Sequence, residues 1–439
     1  MSNAALLLYA LGGAVLASFL ACIPALHIYN VAGLLILVGA GSGERLPPEA
    51  TAMLFLGLVT GYAVGNTLPS IFFSAPDDST LFVVLPAQRY LMQRRGYEAV
   101  VLAGLGSLGG IAVLALLAPL ASRILPPMRA ILQPHLPWIL AAVIAYMLMS
   151  EWPKGTDRAP TAWGKLAEAW TSLAAGLSTF LLSGLLGLIL MYRSLVPVRV
   201  AYQGLLPAFI GLFAVPWIVH NLLARVDIPP QHVSTSVDLT PGQMARGIAA
   251  GAMGGLFAAF FPVVTGGIGG FLAGHATAQR DDRLFILSQG ASKAVYYAGG
   301  LWLFFVPGLH LTRGGMAWML STVYTARTPA TYFLATAAVL LAGGVSFFLL
   351  LGLARGIIAL LDRLHYRTVS LAALAVLLVI VAGTTGLGGL LICAVATGIG
   401  LIPVLWGSRR MNCMGVILLP ITLNMLGVGD TVAGWLGLL

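Results

Sequence analysis

The chain has 439 residues, of which 8% are charged and 59% hydrophobic, with a mean hydropathy of +0.95. Soluble proteins carry roughly 25% charged residues, so a soluble domain is excluded; so is a disordered chain, which requires low hydrophobicity. The formal net charge of +9 is scattered over short gaps between apolar runs, which fits loops at an anionic membrane surface and not a nucleic-acid partner.

Residues 1–43, 50–76, 99–122, 130–150, 169–192, 200–224, 247–279, 294–312, 328–354, 368–408 and 411–429 contain no Asp, Glu, Lys or Arg. A helical span needs about 20 apolar residues, so these runs predict an all-α polytopic membrane protein with roughly ten to twelve segments. The runs 1–43, 247–279 and 368–408 are too long for one helix and each turn at least once. The expected organisation is a first repeat over 1–125, connecting helices and polar loops over 126–240, a second repeat over 241–330, and C-terminal helices over 331–439. No basic segment precedes the first apolar run, so no removable signal peptide is expected.

The first run reaches Pro24 and then a polar tip, PALHIYN (24–30), which presents His27, Tyr29 and Asn30. Non-helical backbone at membrane depth survives only when buried in protein or lining a cavity. Open N–H groups where the next half-helix starts, around Val31–Gly33, would form an anion site.

Next comes GNTLPSIFFSAPDDSTLFVVLPAQRYLMQRRGYE (65–98), with Asn66, Thr67 and Ser70 near its start. Pro69 and Pro76 preclude one continuous helix. Asp77 and Asp78 have two readings. In a loop, Asp78 caps the following helix; at membrane depth the pair binds Na⁺ or exchanges H⁺, because oxygen ligands suit hard cations and buried carboxylates are costly. Arg95 ends this stretch and is read as an interface anchor, and residues 151–166 as a solvated loop.

The second tip, PVVTGG (262–267), presents Thr265, Gly266 and Gly267, and the loop 280–283 separates it from LFILSQGASKAVYY (284–297). That segment places Ser288, Gln289, Ser292 and Lys293 in an apolar run. A lone Lys near a span end usually snorkels to the interface; inside the membrane, Lys293 attracts an anionic substrate or neutralises Asp77 and Asp78. Arg313 is read as a second interface anchor, outside the site. Cys22, Cys393 and Cys413 sit at unrelated spacings in apolar stretches and imply neither a disulfide nor a metal framework. There is no Walker loop and no metal-ligand spacing among the His residues, so no cofactor is expected beyond H⁺ or Na⁺ as coupling ion.

Residues 16–36 and 254–274 align through Phe19 with Phe257, Ala21 with Ala259 and Pro24 with Pro262. Paired Gly/Pro-interrupted segments in two halves of a chain point to the binding site of a secondary transporter. Whether such repeats are inverted or parallel stays open at this point.

The tip IPALHIYN (23–30), the stretch APDDSTLFVVLPAQRYLMQRRGYEAV (75–100), the run LLPAFIGLFAVP (205–216), IPPQ (228–231) and FFPVVTGGIG (260–269) resemble the TctA family, the large membrane subunits of tripartite tricarboxylate transporters, in the variant common in archaea and some bacteria. The resemblance implies proton- or sodium-driven uptake of di- and tricarboxylates across the cytoplasmic (inner) membrane. It also implies a small membrane subunit and a periplasmic binding protein as partners, which variants like this one often lack. The chain departs from the family at Ala25 and Val263, where glycine is usual, and a Cβ there weakens close backbone approach to a ligand.

The expected function is thus a secondary active permease, a symporter that is not an enzyme, holding an organic anion between the tips 24–30 and 262–267. The substrate set is His27, Tyr29, Asn30, Asn66, Thr67, Ser70, Thr265, Gly266, Gly267, Ser288, Gln289, Ser292 and Lys293, with Asp77 and Asp78 as coupling residues. The alternative is a translocase for a polyprenyl phosphate or similar anionic lipid. An aspartyl-pair enzyme is disfavoured, because adjacent side chains point apart.

Overall fold

The computed structural model describes the chain apart from residues 25, 43–45, 74, 78, 152–159, 197–203, 225–227, 235, 278–280, 326–327 and 362–365. For residues 37–42, 224 and 366 it describes the backbone alone. Every regular element among the described residues is helical. In chain order these are α1 (Asn3–Leu20), α2 (Ile28–Ser42), α3 (Pro48–Gly65), α4 (Thr67–Phe72), α5 (Val84–Met92), α6 (Gly96–Leu132), α7 (Leu136–Met149) and α8 (Ala162–Tyr192). There follow α9 (Leu206–Phe209), α10 (Val215–Ala224), α11 (Pro241–Phe260), α12 (Gly266–Ala276), α13 (Asp282–Ala294), α14 (Gly300–Trp302) and α15 (Gly314–Ser321). The last are α16 (Pro329–Leu361), α17 (Tyr366–Leu405), α18 (Gly415–Met425) and α19 (Gly429–Trp435). Two π turns, Ile210–Ala214 and Val295–Gly299, interrupt otherwise continuous helix.

Among the described residues, seven helices are long and apolar enough to cross a membrane, or eight if the bent pair α18–α19 is one span. The longest, 54 residues, continues α6 through a short 3₁₀ turn into α7, and at about 20 residues per crossing it has length for two. The other apolar runs are held in shorter or interrupted helices. Their stops and starts are chemically specific. Thr240 and Gln243 form a capping box with Pro241 in the first turn of α11, an arrangement that satisfies two otherwise orphaned N–H groups. Thr265 caps α12 and Asp281 caps α13 through their side chains. Gly386 interrupts α17 at φ 67°, ψ −159°, a conformation open only to glycine.

The chain forms two compact units: residues 1–130 with 227–368, and residues 131–226 with 369–439. In the first, α1 lies along α3, with Gly57 facing the Ala10 carbonyl so closely that a Cβ would strike the backbone. α13 is enclosed in the same way, Gly106 of α6 approaching Leu287 and Gly255 of α11 approaching Ser292. In lipid there is no hydrophobic drive between helices, so this small-residue contact supplies the packing. Polar ends of buried aromatics are satisfied: Trp302 Nε1 donates to Thr336 Oγ1 at 2.8 Å, and Tyr332 donates to the Ala118 carbonyl at 2.8 Å.

In the second unit, α8 packs on α18, with Gly187 against the Val416 backbone. Glu151 just follows α7 and is fully buried. Its Oε1 accepts from the Arg409 backbone N–H at 2.6 Å and from Asn412 Nδ2 at 3.0 Å. The sequence had placed Glu151 in a solvated loop. The correction has a physical reason: a carboxylate beside a helix end is buried when backbone and amide donors meet it.

Candidate functional site

The first unit gathers its polar groups at one place, the break between α3 and α4. Pro69 has no N–H to offer the Gly65 carbonyl, so the helix cannot run through at regular geometry. Asn66 is the C-cap of α3 and stands directly before α4. Lys293, one residue from the end of α13, reaches this break with only 2% exposure. Its ammonium donates to Asn66 Oδ1 at 2.8 Å, to Thr67 Oγ1, and at 3.5 Å to the Val64 carbonyl. Lys293 therefore does not snorkel to an interface, as a lone Lys near a span end would; the oxygens freed at the break hold it inside.

The amide of Asn66 continues the contact, its Nδ2 donating to Asp77 Oδ2 at 2.7 Å. The same carboxylate oxygen accepts from Tyr62 at 3.0 Å and from Tyr297 at 2.9 Å. Oδ1 accepts from the backbone N–H groups of Ser79 and Thr80 and from both their hydroxyls, at 2.8–3.0 Å. Asp77 thus has a local turn-forming role and a long-range one at once. Ser70 extends the cluster with a 2.8 Å bond to Thr80 Oγ1. Asp78 lies outside the described residues.

From Asp77 the network runs to the first tip. Tyr29 N–H donates to His27 Nδ1 at 3.3 Å, which assigns the proton to Nε2; that nitrogen lies 3.1 Å from the Tyr297 hydroxyl. The resulting order is His27 Nε2–H to Tyr297, and Tyr297 O–H to Asp77. Tyr29 and Asn30 sit in the first turn of α2, and their N–H groups donate to His27, to its ring and its carbonyl respectively. His27 thus acts as the cap of its own helix and meets the N–H groups of Tyr29 and Asn30, whereas the N–H groups expected to be open, around Val31–Gly33, lie further inside α2. Among the described residues no side-chain bond joins Asn30 to the cluster.

The second tip is built differently. Thr265 Oγ1 accepts from Ile268 N–H, so the α12 start is also partly capped from within. Ser292 donates to the Gly266 carbonyl at 2.8 Å, tying the tip to α13. Gly266 lies against Tyr296 and Lys293, and Gly267 follows it, buried in the first turn of α12. The π turn after Lys293 therefore sends Tyr297 to the first tip and Tyr296 to the second. π turns are frequent at functional sites because they rotate side chains out of helical register.

Arg313 is the main departure from the expected site. It donates to the Ala258 carbonyl and, at 2.9 Å, to the Val264 carbonyl, with its guanidinium 5.8 Å from the Tyr296 ring centre. It is no interface anchor: it joins a carbonyl in the last turn of α11, Ala258, to one in the tip beyond it, Val264. The glycines after it lie against Tyr29, so one short segment touches both tips. Arg95 pairs with Glu98 at 2.7 Å, away from the cluster. Val263, in the tip itself, has φ 62°, a conformation that a β-branched residue rarely adopts.

Thr67, Ser79, Thr80, Gln289, Gly290 and Lys293 line a cleft beside the break that is too narrow for a water molecule in this conformation. Gln289 is 2% exposed, and among the described residues neither its amide oxygen nor its nitrogen has a hydrogen-bond partner. Such a group costs about 1–3 kcal/mol. Its oxygen and nitrogen border Gly270, where only glycine leaves room. Ser288 Oγ, one position earlier, is likewise buried without a partner. Sequence reasoning missed Tyr62, Tyr296, Tyr297 and Arg313. The tyrosines read as apolar packing, and the one available signal was their place beside the broken segments.

No cluster of His, Cys, Asp or Glu among the described residues could hold a metal ion. The pattern that defines the Tripartite tricarboxylate transporter TctA family matches residues 7–415. An uncharacterized protein of Methanocaldococcus jannaschii is 25% identical over 434 residues, covering 96% of this chain and 99% of that protein. No solved structure matches the chain.

Proposed function

Because the chain belongs to the TctA family of transporter membrane subunits, we propose that it carries a di- or tricarboxylate across the cytoplasmic membrane as a cation-coupled symporter. Family membership makes it a multi-pass transport component of the kind that works with a small membrane subunit and a periplasmic binding protein. Which partners this chain uses belongs to the proposal. The observation that supports it most is the amide of Gln289, unpaired among the described residues, in a cleft shared with Lys293 and three hydroxyls. A buried amide that lacks both partners is suited to a ligand that accepts from its NH₂ and receives the field of an ammonium, as a carboxylate does. The Ser79 and Thr80 hydroxyls, which donate to Asp77, and the Thr67 hydroxyl, which donates to the Val64 carbonyl, border the same space.

In this reading the carboxylate substrate enters beside Lys293 and bonds to Gln289, with Ser288 and Ser292 on the same helix. His27, Tyr29, Asn30, Ser70, Thr265, Gly266 and Gly267 belong to the supporting shell, and Asp77 balances the charge. Asp78, adjacent to it, is proposed to share the coupling role. Lys293 acts on the substrate through its charge, since its N–H donors already face protein oxygens. The test is uptake of radiolabelled citrate into proteoliposomes under an imposed proton or sodium gradient. Gradient-driven accumulation that Gln289→Ala abolishes is the expected result; absence of uptake of any soluble carboxylate under either gradient refutes the assignment.

A further inference from the structure

We propose that Lys293 is a resident cation occupying the place that a metal ion would take, and that the ion coupled to transport is therefore the proton. This rests on the transport reading above and adds to it the identity of the coupling ion and its carrier.

The oxygens around Lys293 carry the argument. A broken helix exposes the Val64 carbonyl, the Asn66 side-chain oxygen and the Thr67 hydroxyl on one side of the break, and all three face the ammonium. Oxygen atoms converging on a helix break are what a hard cation seeks. Here a covalently tethered cation with three N–H donors already fills the space. Asp77, the carboxylate that the described residues place beside Asn66, gives sodium no opening either. Both oxygens of Asp77 are surrounded by N–H and O–H donors from Tyr62, Asn66, Ser79, Thr80 and Tyr297. A carboxylate has about four lone-pair sites in all, and these are committed.

Among the described residues, Asp77 is the charge that faces Lys293. On α3 and its break the neighbours are Asn66 and Thr67, with Tyr62 bonded to Asp77. From α6 comes Ala103, and from the 79–80 turn Ser79 and Thr80. The second tip offers Gly266 and the π turn Tyr297, itself bonded to His27 and Asp77. With the ammonium and the carboxylate both ionised, the site is neutral and accepts an anion. When Lys293 releases its proton to water it becomes an amine, one of its three oxygens loses a donor, and the uncompensated Asp77 charge repels the anion. Taking a proton back from water on the proton-rich side restores the binding state. Anion and proton thereby bind and leave together, which is positive linkage between two ligands of one site. No other reactant is required, because the proton is exchanged with water.

The test is citrate uptake into proteoliposomes with sodium absent from both sides. Wild type should accumulate radiolabelled citrate under an inward proton gradient, with substrate-dependent proton entry reported by a pH dye inside the vesicles. Lys293→Gln, which fixes the site in the uncharged form that repels the anion, should lose both citrate accumulation and citrate–citrate exchange, falling to the level of protein-free vesicles. A requirement for sodium in wild type, or accumulation by Lys293→Gln under the proton gradient, overturns the proposal while leaving citrate transport intact. No uptake under either gradient overturns the transport reading and this proposal with it. If Lys293→Gln does not fold, the proton-entry measurement on wild type decides alone: citrate uptake with no proton entry refutes the role.

Discussion

Asn66 joins the two charges of the cluster through the two ends of one amide, accepting from Lys293 at 2.8 Å and donating to Asp77 at 2.7 Å. The charges are therefore coupled without direct contact, and the amide cannot be replaced by an apolar group without stranding both. Asn66→Leu should destabilise the protein by about 3 kcal/mol, since it leaves a buried ammonium and a carboxylate each short of a partner. Thermal unfolding in detergent measures this. A shift within error of wild type would mean that water or another group takes over the bridge.

Gln289 predicts opposite signs for stability and binding. Gln289→Leu removes an amide that no group among the described residues satisfies, so the ligand-free protein should be unchanged or more stable by about 1 kcal/mol. The same variant should lose the stabilisation that citrate confers on wild type, because ligand binding to the folded state raises stability by mass action. Melting curves with and without citrate separate the two effects.

Val263 holds a left-handed conformation at φ 62° in the second tip. Replacing it with glycine removes steric strain of about 1–2 kcal/mol, less the chain entropy that glycine adds in the unfolded state. Val263→Gly is expected to raise the melting temperature slightly, and Val263→Ile to lower it. Equal destabilisation by both would show that the side chain contributes packing that outweighs the strain.

Tyr297 stands between His27 and Asp77. Tyr297→Phe deletes one hydroxyl while keeping the ring, which is 1% exposed. The expected loss is about 1–2 kcal/mol of stability, together with slower citrate uptake, because the first tip is no longer tied to the carboxylate. His27→Ala should add little further loss in the double variant, since both substitutions break the same chain.

Asp281 caps α13 and pairs with Arg283 at 2.8 Å. The hydrogen bonds from Arg283 hold its carboxyl below the usual carboxylate range. A depressed value means that the contribution is complete above the usual range and is lost as pH falls through the lowered one. Asp281→Asn keeps the cap and removes the charge, so it should cost about 0.5 kcal/mol at neutral pH and flatten the acid limb of a stability profile.

The membrane fold was legible because 8% charge in 439 residues leaves no soluble alternative. Asn66, Thr67, Gln289 and Lys293 stood out for the same reason: a polar side chain in an apolar run is costly unless something meets it. What met them was not legible. Tyr62 and Tyr297 look like packing residues in a one-dimensional pattern, and their hydroxyl partners lie far away in sequence. His27 was singled out as a polar tip, but its use as a helix cap, which closes the N–H groups behind it, follows from backbone geometry and not from residue type. Arg313 looked like an anchor for a related reason: its acceptors are main-chain carbonyls, Ala258 and Val264, which no sequence pattern marks.

Glu151 has a bearing on how the protein is made. Two of its donors, at Arg409 and Asn412, are separated from it by 258 and 261 residues. During synthesis the carboxylate enters its surroundings long before either donor has left the ribosome, and the second unit, built from residues 131–226 and 369–439, cannot close until the last stretch arrives. A chain halted near residue 405 would lack both of these donors to a carboxylate that the finished protein buries completely. The pairing thus ties the residue after α7 to a part of the chain made near the end of synthesis. Such truncated chains are expected to be cleared faster in pulse-chase labelling than the same truncation carrying Glu151→Gln.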